Sequence, residues 1–165
     1  MAKNISLLGI GLKMVVASVC YFIMAAALTV LFPEVFLIEI LDHFTLIKIG
    51  IVLLAMGIPM LIVAALTISV GFRNGKLLTT GIYALSRNPI YAAWILFIVP
   101  GLSLFFKSWL ILGTTLATYL AFKIFIKEES TYLKETFGRD YLTYEANVNE
   151  LLPIPKILKK KSGKK

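Results

Sequence analysis

The residues that could do chemistry are concentrated in two polar stretches, of which the first reads "TTGIYALSRNPIYAAW" and begins at Thr79. Within it, Asn88 before a proline is a favoured helix start, because Asn caps helix N-termini and proline suits the first helical position. A helix N-terminus presents unpaired N–H groups and a partial positive charge, which suit a carboxylate or phosphate, and Arg87 strengthens that preference. Tyr83 and Tyr91 either wall a ligand or belong to the aromatic belt of a membrane protein.

The second polar stretch, "KEESTYLKETFGRDYLTYEANVNE", begins at Lys127 and carries two adjacent acids. Glu128 and Glu129 either end a solvated helix or present a carboxylate to a polar cavity between helices, where it could hold a cation or a ribose hydroxyl. Apolar side chains then recur every three or four residues, which predicts an amphipathic interfacial helix over 127–146 with a break near Gly138. These side chains are Leu133, Phe137, Tyr141 and Tyr144.

The elements that must position these residues are membrane helices. The chain has 165 residues, is 59% hydrophobic and has a mean hydropathy of +0.87, which indicates an integral membrane protein. We predict an all-α fold with four transmembrane helices plus a C-terminal cytoplasmic amphipathic helix, forming one domain over 1–165. The first apolar stretch is too long for the core of a signal peptide. The predicted spans are 5–32, 45–72, 89–106 and 109–126, the last two joined by a tight hairpin.

The net charge of +8 is unevenly distributed. The loop 33–44 holds three acids and no lysine or arginine, whereas the loop after the second span and the tail 151–165 are basic. The positive-inside rule therefore places both termini in the cytoplasm of a multi-pass protein. The tail either binds anionic lipid headgroups or is a disordered segment that sets topology, and its lack of interleaved aromatics argues against nucleic acid as a partner.

The sequence does not predict a metal site, because it has one cysteine and one histidine, far apart along the chain. Cys20 is the only cysteine and lies inside the first span, so no disulfide framework or thiolate cluster can form within one chain. His43 is the only histidine and lies beside Asp42 in a loop, with no second imidazole or thiolate near it in sequence.

The two polar stretches together resemble the isoprenylcysteine carboxyl methyltransferase family and its wider relatives, which include phospholipid N-methyltransferases. The family pattern is Gly-x-Tyr, then Arg-His-Pro-x-Tyr opening a helix, one helical hairpin, and Glu-Glu-x-x-Leu-x-x-x-Phe-Gly-x-x-Tyr-x-x-Tyr. This chain has "GIYALSRNPIY" and then "EESTYLKETFGRDYLTY", and the resemblance covers 75–153. It implies an integral membrane enzyme that moves a methyl group from S-adenosylmethionine to a lipid-borne or hydrophobic acceptor in the bilayer. A prenylcysteine-like carboxylate is one acceptor class, and a phospholipid amine is the alternative.

The resemblance also implies which residues bind the cofactor. Alignment on Phe137 and Gly138 puts the family's first glutamate on Glu129, where it would hold the cofactor's amine or ribose. The tyrosines would wall the sulfonium or adenine, and the helix start would receive the carboxylate. The implied cofactor-binding residues are Gly75, Lys76, Leu77, Leu78, Tyr83, Asn88, Pro89, Ile90, Tyr91 and Glu129.

Three departures from the family pattern bear on the acceptor. Asn88 replaces the common histidine, Ser130 replaces the second glutamate, and Phe125 stands where carboxyl-methylating members have a substrate-facing arginine. No catalytic residue is assigned; the acceptor-side candidates are Arg87, Lys123 and Lys127. A sterol-reductase-type enzyme and a non-enzymatic membrane protein with decayed motifs remain as alternatives. The compact, lysine-rich chain suggests a prokaryotic inner membrane, and a reticulum membrane fits the topology as well.

Overall fold

The structure is a computed structural model that describes residues 7–73 and 76–154. Over these residues the fold is all-α, as the sequence predicts. Gly75 and the tail beyond residue 154 lie outside the described residues. The long helices are α1 (Leu7–Leu31), α3 (His43–Arg73) and α7 (Thr114–Asn147). Shorter elements connect them: α2 (Pro33–Phe36), a 3₁₀ turn (Gly81–Ala84), α4 (Pro89–Ala93), a π turn (Trp94–Ile98), α5 (Val99–Leu104) and α6 (Trp109–Leu112).

Three helices in the described part of the chain are long and apolar enough to cross a membrane: Gly11–Leu31, His43–Ser69 and Trp109–Asn147. The helical run that corresponds to the predicted third span is Pro89–Leu104, which ends two residues before the predicted boundary at 106. It falls below the roughly 20 residues that a perpendicular crossing of the hydrocarbon needs. The tight hairpin after it is confirmed, and Lys107 turns the chain with a φ of 50°.

The predicted boundary between a fourth span over 109–126 and a separate interfacial helix over 127–146 does not exist in the structure. Instead α7 continues through this point to Asn147. The reason is local, because residues 127–137 contain no glycine or proline and are rich in good helix formers. The predicted break near Gly138 is confirmed, since its φ of 52° and ψ of −122° interrupt the helical geometry.

Close contact between α3 and α5 depends on two glycines. A Cβ atom added to Gly50 would lie 2.7 Å from the carbonyl oxygen of Gly101, and one added to Gly101 would lie 3.0 Å from the carbonyl oxygen of Gly50. Small residues allow membrane helices to approach at backbone distance, where van der Waals packing replaces the missing hydrophobic driving force. This contact holds the run Pro89–Leu104 against α3.

Hydroxyl pairs tie α1 to the other helices. Ser18 and Thr118 share a buried hydrogen bond of 2.8 Å between α1 and α7, and Thr29 and Ser108 share another of 2.8 Å at the hairpin. Ser108 also accepts from the backbone N–H of Ile111 and so caps α6. The first bond holds α7 beside α1, and the second holds the hairpin turn against α1.

Gly138→Ala should destabilise the protein, because its backbone conformation is one that only glycine adopts without strain. The expected cost is about 1–3 kcal/mol, seen as a lower unfolding temperature in detergent. Gly11→Ala is the control, since Gly11 lies in α1 with open space around it and alanine favours helix. Equal unfolding temperatures for the two variants would contradict this assignment.

Candidate functional site

Three segments meet at one end of the bundle and form the region called here the polar end: residues 76–91, α7 from Glu129 to Asn147, and residues 148–154. A parallel bridge pairs Ser86 with Asn149, and the backbone N–H of Arg87 donates to the carbonyl of Asn149 at 2.8 Å. The two polar stretches of the sequence, which are far apart along the chain, are therefore brought together.

Tyr83 anchors the 3₁₀ turn inside the polar end. Its side chain is buried, and its hydroxyl donates to the carbonyl of Ala64 in α3 at 3.4 Å. Its own carbonyl accepts a 2.6 Å bond from the hydroxyl of Tyr144 in α7. Burial raises the pKa of the Tyr83 phenol, and the nearby negative charge of Glu129 raises it further. Tyr83 therefore stays a neutral donor beside that carboxylate.

Glu129 is a buried carboxylate, whereas its neighbour Glu128 is solvent-exposed. Glu129 is 7% exposed, and its Oε2 accepts a 3.3 Å hydrogen bond from the hydroxyl of Tyr91. The Tyr91 ring packs against the fully buried Phe122, with 5.5 Å between centroids. Within the described ranges, no lysine or arginine nitrogen lies within 4.0 Å of Glu129, whereas Glu128 pairs with Lys13 at 3.6 Å. A buried carboxylate with one neutral partner favours a ligand that brings a positive charge or further donors.

Asn88 occupies the predicted N-cap position of α4, but its side chain makes no capping bond. Its amide donates to the carbonyl of Glu150 at 2.9 Å, and its backbone N–H donates to the hydroxyl of Ser86 at 3.2 Å. The Ser86 hydroxyl in turn donates to the carbonyl of Leu151 at 3.1 Å. Pro89 is buried at the first helical position. Asn88 thus holds the segment that follows α7 against the start of α4.

The Arg87 side chain binds two residues of α7. Its guanidinium forms a 2.7 Å ion pair with Glu145 and a 3.4 Å hydrogen bond to the hydroxyl of Tyr141. Only 11% of its side chain is exposed. Lys134 also contacts Glu145, at 3.0 Å. The geometry therefore gives Arg87 a clamping role between the loop and α7.

The remaining predicted residues differ in their surroundings. Lys76 is exposed, whereas Leu77 packs against the cluster of Tyr141, Tyr144 and Val148. Leu78 and Ile90 are half-buried. The predicted apolar face of 127–146 is confirmed, because Leu133 and Phe137 pack against the same cluster.

The two lysines proposed for the acceptor side behave differently. Lys127 is exposed, whereas Lys123 forms an ion pair with Glu150. Glu150 was not singled out by the sequence reasoning, nor was Ser86, which is fully buried. The available signal for Glu150 was an acid directly before the apolar segment "LLPIP". Nothing in the sequence distinguishes Ser86 from an ordinary loop serine.

An apolar groove of about 740 Å³ lies between the helical run Pro89–Leu104 and the start of α7, and residues 149–152 also line it. Ile95, Leu96 and Pro100 form one wall. The other wall is formed by Leu112, Thr115, Leu116 and Tyr119. Glu150 lines this groove and its carbonyl accepts from the Asn88 amide, so the groove, called here the apolar groove, borders the polar end.

Comparison with known proteins gives two matches. A family model described as phospholipid methyltransferase matches residues 43–140, which is more than half of the chain. The chain is also 34% identical over 83 residues to a Protein-S-isoprenylcysteine O-methyltransferase from Xenopus laevis. That match covers 50% of this chain and 29% of the relative's length. No solved structure matches the chain.

Proposed function

Because the chain belongs to the phospholipid methyltransferase family, we propose that it transfers a methyl group from S-adenosylmethionine to a lipid-borne acceptor at the polar end of the bundle. Membership of this family implies a methyltransferase that uses S-adenosylmethionine and works on membrane-associated acceptors. The observation that carries the site assignment is the buried pair of Glu129 and Tyr91 beside Tyr83.

The residues present fit the cofactor's chemistry. S-adenosylmethionine carries an ammonium group, a sulfonium and two ribose hydroxyls, all of which can satisfy a buried carboxylate. Glu129 has one hydrogen bond from Tyr91 and no cationic partner among the described residues. The rings of Tyr83 and Tyr91 can contact a sulfonium or an adenine. The helix start at Asn88 and Pro89 would receive the cofactor's carboxylate, as the resemblance to the family implies.

When bound, the cofactor supplies an electrophilic methyl group, which the acceptor's lone pair takes as the carbon–sulfur bond breaks and its electron pair returns to sulfur. The protein's own residues contribute alignment and exclusion of water. Glu129 would fix one end of the cofactor, and the loop anchored by Tyr144 would hold Tyr83 over it. The segment after α7, tied to Asn88, would close the polar end.

We also propose a four-span, multi-pass arrangement with the polar end at the cytoplasmic face. The run Pro89–Leu104 would cross most of the bilayer between α3 and α7. The basic residues of the loop after α3 support the cytoplasmic placement. The acceptor would then reach the site from within the bilayer.

Two acceptor classes are supported by the names of the matches. The family description favours a phospholipid amine, and the name of the Xenopus laevis relative favours an isoprenylcysteine carboxylate. An amine must lose a proton before it attacks, whereas a carboxylate attacks directly. A non-enzymatic protein with the same fold is the competing alternative, because three family positions, Asn88, Phe125 and Ser130, differ from the pattern.

Label transfer tests this proposal. The purified protein is placed in vesicles that contain an amine-headed phospholipid or a prenylated cysteine, with methyl-labelled S-adenosylmethionine. We expect label in the lipid extract, in a base-stable form for an N-methyl product and a base-labile form for a methyl ester. Glu129→Gln should abolish most of the transfer and Glu128→Gln should not. Absence of transfer to either acceptor by a folded wild-type protein that also binds no cofactor would favour the non-enzymatic alternative.

A further inference from the structure

We propose that the apolar groove holds the hydrocarbon chain of the acceptor, and that Glu150 and Lys123 select a zwitterionic head group, a phosphate with an amine, at its polar end. This inference rests on the proposed function and assigns residues and an acceptor class to it. Glu150 would bind the ammonium and Lys123 the phosphate.

The groove has the direction that a lipid chain needs. Thr115, Tyr119 and Lys123 are spaced by four residues along α7, so they lie on one face of the helix. From Leu112 to Lys123 this face extends about 16 Å along the helix axis, at roughly 1.5 Å per residue. The groove lining on this side ends at Tyr119, and Lys123 lies one helical turn beyond it, where it pairs with the lining residue Glu150. An acyl chain lying beside α7 would therefore place its head group at Lys123.

The position of Glu150 is fixed by its backbone. Its carbonyl accepts from the Asn88 amide at 2.9 Å and from the Ser86 hydroxyl at 3.4 Å. Because both donors belong to the segment that begins α4, a head group at Glu150 would lie next to the start of that helix. The residue thereby links the apolar groove to the region proposed for the cofactor.

The side chains of this pair are accessible to a ligand. Glu150 is 30% and Lys123 44% exposed, and partly exposed ion pairs contribute little to stability. A head group with both charges can replace the pair by two new pairs, whereas a purely anionic head group would meet the repulsion of Glu150. Charge complementarity therefore favours a phospholipid with a primary amine over an anionic acceptor.

Photo-crosslinking in nanodiscs tests the assignment. The probes are phosphatidylethanolamine and phosphatidylglycerol with the same photoactivatable acyl chain, without added cofactor. We expect wild-type protein to crosslink the amine lipid more strongly, with adducts on α7 residues of the apolar groove. Glu150→Gln should lower the yield for the amine lipid about tenfold, the lower range for loss of a charge-assisted hydrogen bond. It should not lower the yield for the anionic lipid.

Matched variants separate groove occupancy from general effects. Leu116→Trp should fill the apolar groove and lower the yield for both lipids, whereas Leu120→Trp, on the same helix but outside the groove, should not. Glu135→Gln is the exposed control for Glu150→Gln. The exchange of Lys123→Glu with Glu150→Lys keeps one charge of each sign at this place, so it should keep the preference for the amine lipid that Glu150→Gln loses.

Equal crosslinking of the two lipids by the wild-type protein, or an unchanged preference in the Glu150→Gln variant, would overturn this inference. Cofactor binding, measured on the same preparations, distinguishes a failure of the head-group assignment from a failure of the proposed function. Cofactor binding without lipid preference would remove the head-group assignment and leave the proposed function. Lipid preference without cofactor binding would remove the proposed function and leave a lipid-binding groove.

Discussion

Glu129→Gln should lower the affinity for S-adenosylmethionine about 10–100-fold, the range for loss of one hydrogen bond to a charged group. Glutamine keeps the size of the side chain and can still accept from Tyr91, but it no longer brings a negative charge to the site. Binding is measured at equilibrium with labelled cofactor and detergent-purified protein.

Glu128→Gln is the matched control for this measurement. The two glutamates are adjacent in α7, but the side chain of Glu128 is 54% exposed and, within the residues that the structure describes, forms an ion pair with Lys13 alone. We expect its affinity for the cofactor to stay at the wild-type value. An equal loss in both variants would show a non-specific charge effect, and no loss in Glu129→Gln would remove Glu129 from the site.

Tyr144→Phe should destabilise the polar end by about 1–3 kcal/mol, the cost of leaving a buried acceptor without its donor. The lost bond is the 2.6 Å contact from the Tyr144 hydroxyl to the carbonyl of Tyr83. Because this bond holds the 3₁₀ turn against α7, cofactor affinity should fall together with the unfolding temperature. Both are measured in detergent.

Tyr132→Phe is the control, since Tyr132 lies in the same helix with 39% of its surface exposed. It should change neither quantity. If Tyr144→Phe unfolded at the wild-type temperature and bound the cofactor normally, the turn would be held by its other contacts, such as the bond from Tyr83 to Ala64.

Local patterns predicted the helices and the composition of the polar end, because both depend on short-range features of the sequence. The apolar stretches, the proline at the start of α4 and the positive-φ glycine in α7 each follow from residue type and spacing. The register that favoured Glu129 over Glu128 agrees with the burial of the first and the exposure of the second. The role of either glutamate stays a prediction.

Contacts between distant segments could not be predicted in the same way. The Asn88 side chain was expected to cap its own helix, but it bonds to a carbonyl 62 residues away, which no local pattern records. Arg87 was expected to favour an anionic ligand at the helix start, but its guanidinium pairs with Glu145 of α7. The Lys123–Glu150 pair likewise depends on how the chain turns after α7.

Saturable binding of S-adenosylmethionine to the purified wild-type protein tests the central claim most directly. We expect a single class of sites, competed by S-adenosylhomocysteine, on protein whose cooperative unfolding shows that it is folded. Binding should raise the unfolding temperature, because the ligand binds the folded state. A folded protein that shows neither saturable binding nor a rise in unfolding temperature would contradict the assignment of a methyltransferase site to this bundle.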